Sequence, residues 1–219
     1  MVIKNCEVMI CHDPKFIFIH LEKCAGNSIM YALRDYSSTG FGIIKPPLAY
    51  DGGEGININD HPKFKIKAHP NLLDYEKIFK ERSVEEPSLS KYYVWTCIRN
   101  PWDRALSAYL YWHNHELVEK DFLKFFSLPE VYNGSLSKYS IKLHSSKNTY
   151  IHFIRFENLE EEFQMVCVYL GIDVKSVNLP HLNKSILSTG SYKDYYTPAM
   201  IDIIAKNYEE DIKKFNYAF

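Results

Sequence analysis

The chain is short of cysteine, of net charge and of long apolar runs, and each shortage excludes something. Its five cysteines, Cys6, Cys11, Cys24, Cys97 and Cys167, are odd in number and scattered, with no C-x-x-C pair. That argues against a disulfide framework or a structural zinc and favours a reducing, cytoplasmic setting. No H-x-x-x-H or H-E-x-x-H spacing occurs among the nine histidines, which counts against a metal centre. The 26 basic and 27 acidic residues leave a formal net charge of −1. No broad electrostatic footprint for nucleic acid is present, so basic residues must act locally. No stretch approaches the ~20 apolar residues of a membrane span. The opening MVIKNCEVMICHDP lacks the apolar core of a signal peptide. Internal repeats and low-complexity segments are absent as well, and the chain carries no signal for oligomeric state.

What is present is a globular composition rich in Tyr and Phe, over 219 residues that suit one domain, 1–219. Apolar runs at Phe16–His20, Phe64–Ala68, Tyr92–Ile98 and Tyr150–Arg155 read as strands, most of them buried on both faces. Between them lie amphipathic patterns. One starts at Asn27 or Ser28, and one follows Asn71 through Leu72, Tyr75, Ile78 and Phe79. Another is opened by Asn100-Pro101-Trp102-Asp103, with Asn100 as N-cap and Asp103 completing a capping box. Lys120–Leu128 reads as a further helix. Asn158 is expected to cap a helix that Gly171 stops, and Thr197-Pro198 to start a last one ending before Phe215. Ser37–Pro62 and Pro129–Asn148 read as long loops. Strands alternating with helices predict an α/β fold, a single domain whose parallel sheet is flanked by helices in a doubly wound arrangement. Ligands in such sheets bind at the carboxyl ends of strands, where His20, His69 and Arg99 stand.

The stretch FIFIHLEKCAGNSIMYALRDY, Phe16 to Tyr36, is the most informative. A strand, a turn in which Gly26 supplies freedom in φ, and a helix N-terminus together make an anion site, with Lys23 beside it. In a Walker-type nucleotide loop the lysine follows the last glycine and lies on the helix. Here Lys23 precedes Gly26, with Cys24-Ala25 between them. The second block is Arg99-Asn100-Pro101-Trp102-Asp103-Arg104, followed by Ser107-Ala108-Tyr109. A planar guanidinium can bind two phosphate oxygens at once, and a hydroxyl adds a donor. An arginine at a strand end, such as Arg99, is also commonly a surface ion-pair partner, and Arg104 is open to a structural ion pair with Asp103 or Glu157.

Both blocks resemble motifs of sulfotransferases that use 3′-phosphoadenosine 5′-phosphosulfate (PAPS). The first is similar to the 5′-phosphosulfate loop H-x-x-K-T-A-G-T-S of the carbohydrate-type branch. It matches at His20, Lys23, Ala25, Gly26 and Ser28 and departs at Cys24 and Asn27. The second resembles the 3′-phosphate segment R-(N/D)-P-x-x-R-x-x-S-x-Y. Arg155-Phe156-Glu157-Asn158-Leu159 is similar to the family's R-x-E-x-L, read as mainly structural, and the run from Pro180 to Phe219 is typical of the branch.

The resemblance implies a P-loop-like sulfotransferase fold and transfer of a sulfuryl group from PAPS, the co-substrate, to a hydroxyl. The acceptor would be a small molecule or, by preference, a saccharide. It implies a loop of Lys23, Cys24, Ala25, Gly26, Asn27 and Ser28 around the 5′-phosphosulfate, with Arg99 and Ser107 on the 3′-phosphate. Lys23 would act in catalysis. No metal is implied, because a sulfuryl group carries less charge than a phosphoryl group, and Glu157 alone among strand-end residues could hold Mg²⁺. His69 is the candidate general base, with His181 next, and His181 and Asn183 are candidate acceptor contacts. A P-loop kinase and a catalytically silent PAPS- or glycan-binding protein are the alternatives.

Overall fold

The computed structural model describes residues 8–37, 89–114, 121–127, 150–180 and 190–219. The predicted strand Phe64–Ala68, the helix after Asn71 and the greater part of both long loops lie outside these residues. The described residues build a four-stranded sheet in the order β1-β2-β3-β4. Its strands are β1 (Val8–His12), β2 (Lys15–Ile19), β3 (Tyr93–Ile98) and β4 (Ile151–Arg155). β2, β3 and β4 are parallel, with Ile17 opposite Val94 and Thr96 opposite Phe153. Phe16–Ile19 and Val94–Ile98 are buried throughout, the burial that their mostly apolar, uncharged sequence anticipates.

One feature corrects the sequence reading. The sheet is mixed, because β1 pairs antiparallel with β2 in a hairpin turned at Asp13-Pro14. Met9, Ile10 and Cys11 are all buried, so β1 shows no polar alternation to mark it as an edge strand. The described strands follow one another in chain order. The motifs meet because the parallel strands β2, β3 and β4 end on the same edge.

Among the described residues the α-helices are α1 (Gly26–Ala32), α2 (Pro101–Asn114), α3 (Phe122–Ser127), α4 (Leu159–Tyr169), α5 (Pro198–Asn207) and α6 (Glu209–Phe215). They divide between two cores. Ile29 and Met30 of α1 and Phe163, Val166 and Cys167 of α4 pack with the sheet. Trp102, Ala105 and Leu106 of α2 pack with Phe125 and Phe126 of α3 and Ile204 of α5. The second core is largely aromatic, with Tyr109 and Phe122 rings 5.1 Å apart and Phe219 edge-on to Trp102 at 5.7 Å. The abundance of Tyr and Phe thus serves packing.

Gly171, at φ 71°, ends α4 as expected, with Ile172 N–H bonding the Cys167 carbonyl and Gly171 N–H that of Val168. Thr197 caps α5 by accepting from Met200 N–H. Asn158 makes no cap bond to α4. Instead the Glu162 carboxylate reaches back to Arg155 N–H at 2.8 Å. The single last helix of the sequence reading is two helices, broken at buried Tyr208, where φ −118° and ψ 23° leave the helical region. Glu209, Glu210 and Asp211 then start α6 favourably against its dipole.

At the edge where the motifs meet, Thr96 of β3 is fully buried and its hydroxyl donates to the Ile19 carbonyl at 2.7 Å. This bond holds the last peptide of β2 just before the chain leaves the sheet. Thr96→Val keeps the shape but strips that carbonyl of its donor, which should cost ~1–3 kcal/mol of unfolding free energy in urea titration. An unchanged midpoint would mean that another donor holds the end of β2.

Candidate active site

β2 runs into the segment His20 to Ala25, and α1 follows at once. Lys23 (φ 62°) and Ala25 (φ 59°) are both left-handed, a conformation that costs a residue with a side chain ~1–2 kcal/mol. Left-handed residues flanking Cys24 make the kind of turn whose N–H groups form an anion-binding concavity. The glycine has a different task from the one its type predicts. Ala25 is the N-cap and Gly26 the first helical residue, so neither Asn27 nor Ser28 caps α1, and Gly26 does not supply the positive φ. Its role is close approach. A Cβ on Gly26 would lie 1.8 Å from His20 Cδ2 and 2.0 Å from Nε2. The buried His20 ring lies against the glycine backbone and so holds the two ends of the turn together. Cys24 is buried, and burial raises its thiol pKa, so only its backbone can face a ligand. Ser28 is buried and Asn27 is exposed.

The second block grips the first. Arg99 leaves β3 with a side chain only 10% exposed. Its Nε and Nη2 donate to the two carboxylate oxygens of Asp103 at 2.6 and 2.8 Å, and Nη1 donates to the Lys23 carbonyl at 3.0 Å. Its plane lies 4.0 Å from the Phe156 ring centre. Arg104, buried on α2, donates from Nε to the Glu22 carbonyl at 2.9 Å. Successive carbonyls of the turn are therefore held by two arginines of the other motif. This corrects two expectations. Asp103 neutralises Arg99 instead of completing a capping box, and Arg104 binds a loop carbonyl through Nε, with no ion pair to Asp103 or Glu157 seen among the described residues. The i,i+4 spacing of Arg99 and Asp103 carried that signal.

Asn100 does cap α2, accepting from Trp102 N–H at 3.1 Å, and its amide also donates to the Ala218 carbonyl. Glu157 uses both carboxylate oxygens, one for Asn100 N–H at 2.6 Å and one for the Tyr217 hydroxyl at 3.2 Å. The carboxylate singled out as a possible metal partner is thus a brace for the β3–α2 elbow.

Lys23 Nζ lies 4.1 Å from the centre of the Tyr111 ring, a residue the sequence reading did not single out. Tyr111 sits one turn beyond buried Ser107 and two beyond Arg104, on the same side of α2. The lysine of the first motif thus lies over the helix that carries the second. Burial, then the Arg99 charge, lowers the Lys23 pKa from 10.5 to about 8. Lys23, Ala25, Gly26 and Ser28 lie on the loop and α1, Arg99 at the end of β3 and Ser107 on α2, and the bonds of Arg99 and Arg104 to the loop carbonyls join the two segments. His69, His181 and Asn183 lie outside the described residues.

A model of the sulfotransferase family matches residues 7–218. The chain belongs to that family. Its fold is similar to that of mouse sulfotransferase SULT7A1 complexed with PAP, at a TM-score of 0.57 and 16% identity. That match covers 93% of this chain and 86% of the other, and at such identity it speaks to the fold. No curated protein matches. Membership carries the activity class, sulfuryl transfer, and sets the kinase alternative aside.

In this sulfotransferase the His20–Gly26 contact yields a direct test. Gly26→Ala should lower the thermal midpoint sharply, since overpacking costs ~1–3 kcal/mol or more. In a His20→Ala background the same change should cost little, because alanine is the better helix former once the ring is gone. Equal penalties in both backgrounds would place the constraint on Gly26 elsewhere.

Proposed function

We propose that the protein transfers the sulfuryl group of PAPS to a hydroxyl of a small-molecule or, by preference, saccharide acceptor, in the cytoplasm. The observation that carries this is the clamp of Arg99 and Arg104 on the carbonyls of Lys23 and Glu22. It joins the 5′-type loop and the 3′-type block into one cationic site.

The residues present suit a doubly anionic nucleotide. Lys23 and Arg99 stand close enough that the charge on Arg99 lowers the Lys23 pKa, so the protein concentrates positive charge that an anion would relieve. A guanidinium has five N–H donors, and the bonds to Asp103 and Lys23 use three. Two remain for the 3′-phosphate, and the Ser107 hydroxyl can add a third. PAPS supplies a sulfuryl group on a phosphate leaving group. The Lys23 ammonium, with the amides of Gly26, Asn27 and Ser28, stabilises charge at that end of the site. His69 is the proposed base that takes the acceptor proton, with His181 and Asn183 on the acceptor. The carbohydrate preference rests on the H-x-x-K-x-A-G-x-S form of the loop. The reducing setting draws support from the buried free thiols of Cys11, Cys24, Cys97 and Cys167. No helix among the described residues is long and apolar enough to cross a membrane.

Incubation with PAPS and a hydroxyl-acceptor library, read by mass spectrometry, should show addition of one sulfate, with saccharides foremost. Nucleotide binding without any sulfated product would favour the silent binder. Lys23→Ala should cut turnover by about a hundred- to a thousandfold, the scale for one transition-state donor. The ammonium is the working form. With its pKa held near 8, below the ordinary 10.5, activity should be full below about pH 8 and decline above it. The folded state releases this proton more readily than the unfolded chain. Between those two pH values the Lys23 contribution to stability should therefore rise with pH as its contribution to activity falls. A rate unaffected by pH in that window would remove Lys23 from the chemistry.

A further inference from the structure

We propose that Tyr111 is a positioning residue for Lys23, its ring face holding the ammonium over the side of α2 that bears Ser107. The inference rests on the functional reading above and adds a residue that the sulfotransferase motifs do not contain. Nζ stands 4.1 Å from the ring centre, well within the distance at which the negative face of an aromatic ring attracts a cation. The lysine backbone is fixed at the same time. Its φ of 62° is left-handed, and its carbonyl is bound by Arg99. A side chain anchored at both ends has few rotamers left, so it meets a ligand already aimed.

Tyr111 reaches this position because α2 runs uninterrupted through the motif and beyond it. Ser107 and Tyr111 are i,i+4 neighbours, and the Arg99–Asp103 pair and the Asn100 cap fix the first turn of the helix. One helix face thus presents a candidate 3′-phosphate donor and, one turn later, the support for the 5′-side lysine. The ring is 43% exposed, so it borders solvent and can be replaced without opening the core.

The charged and titratable groups acting on the ammonium are Arg99 at the β3–α2 elbow and Glu22 and Cys24 in the loop. Burial and Arg99 disfavour its charged form, while Glu22 and Cys24 favour it. The Tyr111 ring adds to the favourable side by attracting only the protonated species. Removing the ring should therefore let Lys23 lose its proton at lower pH.

The test is the affinity for adenosine 3′,5′-bisphosphate, followed by calorimetry from neutral pH to well above 8, in wild type, Tyr111→Phe and Tyr111→Leu. Wild type and Tyr111→Phe should share one alkaline midpoint. That of Tyr111→Leu should fall by about one pH unit, which means roughly tenfold weaker binding on the alkaline limb and near-normal binding at neutrality. A Tyr111→Leu midpoint equal to that of wild type would overturn the proposal. So would an equal shift in Tyr111→Phe, which would assign the effect to the hydroxyl. If wild type bound no bisphosphate at any pH, the functional reading itself would fail, an outcome distinct from either of these.

Discussion

Two arginines hold two successive carbonyls, and the site depends on that clamp. Arg104 takes the carbonyl of Glu22 and Arg99 that of Lys23. Inside the turn the Cys24 N–H donates to the Leu21 carbonyl at 3.4 Å, so the arginine bonds from α2 hold from outside a turn that is also closed from within. The left-handed residues Lys23 and Ala25 carry unfavourable backbone energy that needs such external support. Charge-assisted hydrogen bonds from guanidinium groups, each ~1.5–3 kcal/mol, are of the size required. The glycine contact with His20 closes the other side of the turn. The loop is therefore built by its surroundings more than by its own sequence.

The same arrangement concentrates positive charge. Lys23, Arg99 and Arg104 share one edge of the sheet, and Asp103 is the carboxylate bound to Arg99. Glu157, another nearby carboxylate, is occupied by Asn100 N–H and the Tyr217 hydroxyl. Burial and Arg99 make the Lys23 ammonium costly to keep, as its lowered pKa records. An anion arriving there meets donors that are already oriented and a repulsion that its own charge relieves, so binding and preorganisation have one physical origin.

The strands and the chemistry-bearing residue types were legible in the chain, whereas the contacts that give those residues their roles were not. β2 and β3 announce themselves because both faces are buried and no charged residue interrupts Phe16–Ile19 or Val94–Ile98. β1 hides for the same reason, since its buried Met9-Ile10-Cys11 lacks the alternation expected of an edge strand. Gly26 was recognisable as necessary, but close approach to His20 is a tertiary fact, and sequence offered only the commoner explanation of positive φ. Asp103 had two local roles open to it, a capping box and an i,i+4 pair. The second prevails because Arg99 is largely buried and needs a counter-charge. Tyr111 carried no motif signal, and only the path of the loop over α2 reveals it.

The central claim is that the elbow arginine both builds the 5′ loop and binds the 3′-phosphate, and one comparison separates these duties. Affinities of adenosine 3′,5′-bisphosphate and adenosine 5′-monophosphate are measured by calorimetry in wild type and Arg99→Ala, with Arg99→Lys as the variant that keeps the charge. Loss of the Lys23 carbonyl bond should weaken both ligands, and loss of the direct contact only the first. The account predicts that the bisphosphate loses a further ten- to hundredfold over the monophosphate, the equivalent of one charge-assisted bond of ~1.5–3 kcal/mol. Equal losses for the two ligands would show that Arg99 supports the loop without touching the 3′-phosphate, and would contradict it.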